Sequence, residues 1–139
     1  MNCRRCGSPL EKPGDYCLVC NTANSDAVVV AFDRDRATLT MLCEEEVVGE
    51  TTVTTVPENG DREGVVELRN FAGRVADEIR RKRPEVVFAA GEHDVLRETR
   101  SQLHYEFYRV EEEEPVESVL SRRGERTLDV VDKPPAEKL

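Results

Sequence analysis

The sequence predicts a mixed α+β or α/β protein in two parts, a four-cysteine ribbon at the N terminus followed by a mixed-sheet domain of order βββαβαβ. Three observations carry this. Four of the five cysteines fall in the opening stretch CRRCGSPLEKPGDYCLVC, Cys3 to Cys20. Apolar and polar side chains then alternate at the strand period through much of residues 26–56. Further on, apolar residues recur at the helical period and are followed by the continuous run EVVFAAG. The expected boundaries are 1–25 for the ribbon, 26–110 for the domain and 111–139 for an acidic linker or tail.

Residues 1–25 hold turn formers, Gly7-Ser8-Pro9 and Pro13-Gly14-Asp15, and almost no apolar surface. Burial cannot offset the ordering entropy of such a segment, so something else must hold it. DAVVVAFD and RATLTML read as a hairpin across the polar turn Asp33-Arg34-Asp35-Arg36, with Ala37, Leu39 and Met41 on one side and Thr38, Thr40 and Leu42 on the other. EVVGETTVTTV reads as a third strand with a bulge or bend at Gly49, ended by Pro57-Glu58-Asn59-Gly60-Asp61. Leu68, Phe71, Ala72, Val75, Ala76 and Ile79 define a helix that closes on Arg80-Arg81-Lys82-Arg83 before Pro84, cations at its negative end. Its start is open: Asn70 as N-cap would leave GVVELR as a strand, or the helix begins near Glu63. EVVFAAG has the texture of a strand buried on both faces. A second helix is expected over His93 to His104, with Val95, Leu96, Thr99 and Leu103 on one side, and YEFYRV as the last strand. A right-handed crossover would set the later strands parallel to the first. After Val110 come a block of four consecutive glutamates and three prolines, with one short helix expected around Val116 to Arg122.

The opening spacing is C-x2-C-x10-C-x2-C. Each pair suits a tight knuckle in which two thiolates chelate one ion, and Gly7 and Asn21, directly after Cys6 and Cys20, are the residues that tolerate the turn. Cys3, Cys6, Cys17 and Cys20 are therefore the candidate ligands of a structural zinc ribbon, with every coordination position filled by protein. Iron is the less expected occupant; a pair of disulfides conflicts with a reducing cytosol, and a redox-active C-x-x-C is a further competing reading. Zinc binding in small fingers is worth ~10 to 16 kcal/mol, enough to fold a coreless segment. Cys43 reads as a small buried hydrophobe.

Of the 139 residues, 29 are acidic and 20 basic, for a formal charge of -9, and only four are lysines. An acid-rich, lysine-poor composition suggests a halophilic protein. At molar salt the Debye length is about 3 Å, so electrostatic grip on nucleic acid is weak and recognition must use shape, hydrogen bonds or apolar contact. With no apolar run long enough to span a bilayer and no signal-peptide pattern, a cytoplasmic protein without membrane contact is expected.

Three further constellations qualify as sites. Asp33, Asp35, Glu67, Glu92 and Asp94 could hold metal ions, against a simpler reading as turn and capping residues. Arg97, Arg100 and His104, with His93 on the same side of the second helix, Arg69, Arg74, Arg80, Arg81 and Arg83 on the first helix, and Tyr105, Phe107 and Tyr108 nearby, could meet RNA through guanidinium forks and stacking; the competing reading is a salt-bridged face, with Glu92, Asp94 and Glu98 interleaved and Asp77 and Glu78 in the first helix. The ribbon surface itself is barely basic, Arg4, Arg5 and Lys12 against Glu11 and Asp15, and suits a docking module as well as a nucleic-acid clamp.

The element order resembles the ribonuclease H type of fold, also found in the middle domain of archaeal and eukaryotic peptide-release factors. In that fold, carboxylates from the first strand, first helix and fourth strand hold two magnesium ions. CRRCGSPLEKPGDYCLVC, DRDRATLTML, VVGETTVTTVP and ELRNFAGRVADEIRRKRPEVVFAAGEHDVLR together resemble the N-terminal part of an archaeal family of predicted metal-binding proteins, in its haloarchaeal branch. The resemblance implies Cys3, Cys6, Cys17 and Cys20 as ligands. Longer members continue past a segment like PAEK into a glycine- and histidine-containing region absent here, which would hold any downstream activity.

The expectation is a non-enzymatic zinc-ribbon binding protein that contacts RNA, the ribosome or a protein partner. The alternatives are a metal-dependent nuclease or hydrolase using Asp33, Asp35, Glu92 and Asp94, and a protein-interaction adaptor. No Gly-Gly-Gln segment and no phosphate-cradling glycine loop is present.

Overall fold

The computed structural model describes residues 2–44, 46–57, 61–110, 115–117 and 119, the side chains of 61–63 excepted. Its sheet contains β1 (Ala27–Phe32), β2 (Arg36–Cys43), β3 (Glu46–Thr54), β4 (Val86–Gly91) and β5 (Glu106–Arg109), with α1 (Asp61–Lys82) before β4 and α2 (His93–Ser101) before β5. The strands lie in the order β3-β2-β1-β4-β5. β1, β2 and β3 pair antiparallel, and β4 and β5 add parallel to β1. The mixed α+β class is as expected.

The alternation in the sequence explains which face each side chain takes. Val28, Val30, Leu39, Met41, Val87, Ala89 and Phe107 point to one face, where they meet Phe71, Val75, Ala76 and Ile79 of α1 and Val95 and Leu96 of α2 in one core. The intervening residues Ala27, Val29, Leu42, Phe88, Ala90 and Tyr108 form a second cluster on the opposite face. β4 is thus buried on both sides, as its continuous apolar run requires. Val119 completes the second cluster and is fully buried, with Val116 packed beside it, so apolar packing continues past Val110. Residues 115–117 and 119 are helical. The remainder of the expected short helix to Arg122, and most of the acidic 111–139 segment, fall outside the described residues, as do positions 58–60 of the expected turn.

Two local readings are decided. The first helix starts at Asp61, so GVVELR is helical and the strand reading is corrected; Val65 and Val66 remain half exposed, which is why the apolar face is legible only from Leu68 onward. The bulge lies beside Gly49: Met41 pairs with Gly49 and Leu42 with Val47, leaving Val48 as the extra residue. Among the described residues no helix is long and apolar enough to cross a membrane.

Candidate metal centre

Two knuckles with the same local chemistry build the centre. In the first, the Cys3 amide donates to the Ser8 carbonyl at 2.8 Å and the Gly7 amide to the Cys3 carbonyl at 3.0 Å. In the second, the Cys17 amide donates to the Thr22 carbonyl at 2.9 Å. Gly7 at φ 77° and Asn21 at φ 56° occupy the left-handed region that the knuckle turn needs, as their side chains suggested. The four Sγ atoms lie within 4.8 Å of one another. Cys3 to Cys20 and Cys6 to Cys17 are each 3.6 Å apart.

Those separations test the donor set. A tetrahedron of sulfurs ~2.3 Å from a central ion has edges of ~3.8 Å, so the cluster has the dimensions of a four-thiolate site. A disulfide needs ~2.05 Å, and all five cysteines are free thiols, which removes the disulfide alternative. Cys3, Cys6, Cys17 and Cys20 are thus positioned to bind a metal ion. Among the described residues they are also the one group of three or more metal-ligating side chains close enough to share an ion.

The protonation chemistry points the same way. The Cys6 backbone amide, and with it the Arg5 amide and the Asn24 side chain, hold Cys3 down at about 6 against burial. Hydrogen bonding to Ser8 lowers Cys6. At Cys20 the Thr22 hydroxyl pulls downward, but burial and the three neighbouring sulfurs push it up to about 11. Ionising four thiols this close accumulates negative charge, which a central cation would offset.

Sequence reasoning missed the residues around the ligands. The Ser8 and Thr22 hydroxyls each sit 3.2 Å from the sulfur two positions earlier, Cys6 and Cys20. The signal was present as the repeated Cys6-Gly7-Ser8 and Cys20-Asn21-Thr22. Asn24, fully buried, accepts from the Arg4 amide at 2.8 Å and donates to the Asp15 carbonyl at 3.0 Å, tying the first knuckle to the loop between them. That loop is fastened to the body. Gly14, at φ 77°, lies against Met41, where a Cβ would come within 2.7 Å of the Met41 side chain. The Tyr16 amide donates to the Arg81 carbonyl at 2.9 Å, taking up an orphan acceptor at the end of α1. Asp15 receives Arg81 at 2.7 Å and Lys82 at 2.5 Å. Lys82 is 0% exposed, and Asp15 is its ion-pair partner. Cys43 is half-buried rather than enclosed, and the Arg4 guanidinium donates to its sulfur.

The other candidates are not assembled as sites of that kind. Asp33 and Asp35 are exposed in the turn after β1. Between them Arg34 forks onto Glu67, which also accepts from the Thr55 hydroxyl at 2.8 Å. Hydrogen bonding to Glu67 raises Arg34, with the charges of Glu92 and Asp94 adding to it. Glu92 caps α2, its carboxylate accepting from the Val95 amide at 2.7 Å. On α2, Arg97, Arg100 and, just beyond, His104 are exposed. Tyr105 is half-buried against the main core, and Phe107 and Tyr108 are buried, so stacking by those two is corrected: they are sheet residues filling the two clusters. The salt-bridged alternative holds for Arg69 with Glu98 at 3.7 Å and Arg80 with Asp77 at 2.7 Å. Compared with known proteins, the chain matches no family model and no curated protein.

Proposed function

We propose that the chain is a non-catalytic binding protein in which a structural zinc ribbon presents a surface to a protein partner. The carrying observation is the second knuckle. Its two residues between the ligands, Leu18 and Val19, are 75% and 74% exposed, an aliphatic pair held outward by a loop that the metal would fix. Burying such a pair stabilises a complex by roughly 1.5–3 kcal/mol per side chain and needs no counterion release, which suits an acidic protein. Four thiolates leave no open position for water or substrate, so the metal supplies shape alone. Zinc is favoured over iron by the C-x2-C-x10-C-x2-C spacing, although the donor set accepts both.

The β3-β2-β1-β4-β5 order supports a ribonuclease H-like outline. In the nuclease reading, carboxylates near the ends of β1 and β4 and on α1 would gather cations; Arg34 on Glu67 supplies a positive charge at that place instead, which argues against it. The closed cysteine cluster is also what supports kinship with the archaeal metal-binding family. RNA or ribosome contact through Arg97, Arg100, His104 and Tyr105 is the second reading, favoured by the exposure of Arg97 and Arg100 without an ion pair among the described residues.

Elemental analysis of the purified protein should return one zinc per chain. A pull-down with and without ribonuclease separates the partners: a protein retained after ribonuclease and lost in Leu18→Ser/Val19→Ser supports the first reading. Retention of RNA that Arg97→Gln/Arg100→Gln abolishes supports the second.

A further inference from the structure

A groove of about 420 Å³ runs between the second knuckle and the C-terminal end of α1. Leu10, Tyr16, Leu18 and Val19 line it from the ribbon, and Arg80 and Arg83 from the helix end. We infer that it docks a peptide segment of a partner protein in which an aliphatic side chain lies beside a single carboxylate. The inference rests on the protein-binding reading above and adds the chemistry of the occupant.

The charge accounting around the groove selects that chemistry. Arg80, Arg81, Lys82 and Arg83 are consecutive. Asp77 pairs with Arg80, Glu11 and Asp15 pair with Arg81, and Asp15 pairs with Lys82. Arg83 alone of the four has no carboxylate partner among the described residues. Its guanidinium lies 4.3 Å over the Tyr16 ring, and φ 47° at Arg83 is the backbone turn that accompanies this placement at the helix end. A guanidinium stacked on an aromatic face keeps its N–H fork free in the ring-parallel plane, the geometry that receives one carboxylate. The surplus among these side chains is therefore one positive charge. A divalent ion with four thiolates would add a formal charge of about -2 at Cys17 on the groove wall, so the open Arg83 fork, rather than net charge, is what admits a single carboxylate. Beside Arg83 the exposed Leu18 and Val19 offer aliphatic surface that water solvates poorly. An acidic partner lacking apolar groups would leave that surface wet, and a purely apolar one would desolvate Arg83 unpaired.

Fluorescence anisotropy with a labelled octapeptide of alternating leucine and aspartate tests this on the full metal-loaded chain. The expected result is binding that weakens about tenfold or more in Leu18→Ser/Val19→Ser and in Arg83→Gln, and with a leucine–lysine octapeptide. Arg97→Gln/Arg100→Gln should leave it unchanged. Metal content equal to wild type shows that each variant keeps its ribbon. Binding indifferent to the groove substitutions or to the peptide's charge overturns the proposal. So does a labelled oligouridine whose binding Arg83→Gln removes, or a self-association that Leu18→Ser/Val19→Ser abolishes, since RNA or a second copy would then be the occupant. If the octapeptide does not bind while a ribonuclease-resistant partner is still captured, the occupant is wrong and the protein-binding reading stands; loss of both ends that reading too.

Discussion

Asp15 carries more of the structure than its place in a turn suggests. It is nearly buried and is the counter-ion of the enclosed Lys82. Removing one member of such a pair leaves a charge in a low dielectric, which costs about 3–5 kcal/mol. Asp15→Ala is therefore expected to lower the denaturant midpoint strongly, whereas Asp15→Leu combined with Lys82→Met should recover most of the loss, because an apolar pair needs no partner. Chemical denaturation of the three variants checks this. The pH dependence follows from the same carboxylate. Burial pushes it up, but the hydrogen bonds from Arg81 and Lys82 outweigh burial and hold it below the ordinary carboxylate value. Its folded pKa is thus depressed, and the unfolded chain binds the proton first as acid is added. The stabilisation is complete above ~3.9 and is lost as pH falls through the folded value. The stability gap between wild type and Asp15→Asn should accordingly close below pH ~4 and be constant above it. Asp15 was legible only as a turn former, because its partner lies 67 positions away and a lysine at a helix end ordinarily reads as solvated.

At the scale of elements, the ribbon loop and the sheet meet through two close approaches. Gly14 abuts Met41, and Gly49 abuts Pro13, where a Cβ would fall 2.1 Å from the Pro13 Cβ. Gly14→Ala combines that overlap with a left-handed backbone, so a loss of about 1–3 kcal/mol is expected. A thermal melt of this variant beside Gly73→Ala, a helical position whose nearest neighbour is only the Gln102 side-chain oxygen at 3.3 Å, separates overlap from the generic effect of adding a methyl. The strands and helices themselves were legible, since Val28, Val30, Leu39, Met41 and Phe71, Val75, Ile79 repeat at the periods that burial imposes. The first two turns of α1 were not, because Val65 and Val66 face partly outward and mimic a strand. The knuckles were the most legible of all: ligand geometry fixes sequence spacing directly. Their Ser8 and Thr22 hydroxyls were overlooked as ordinary turn residues.

Across the whole molecule, polar groups join ribbon and body beside those two approaches, and among the described residues neither apolar cluster takes in a ribbon residue. The Tyr16 amide, Asp15 and Asn24 connect the cysteine knuckles to the end of α1. Withdrawing the metal should let the knuckles unfold and free Asp15 from Lys82. A chelator is expected to lower the melting temperature of the sheet domain as well as the ribbon, reversibly on adding zinc, as read by calorimetry. An unchanged sheet transition would mean that the ribbon is merely tethered. The acid excess of the composition was legible, but where the cations without a carboxylate partner among the described residues sit was not, because that depends on which carboxylate each arginine finds. Lys82 has one last consequence, for descent. Kin of this chain that discard the N-terminal segment should also have exchanged that lysine for an aliphatic residue, since losing the loop that carries Asp15 would leave the buried charge without that partner.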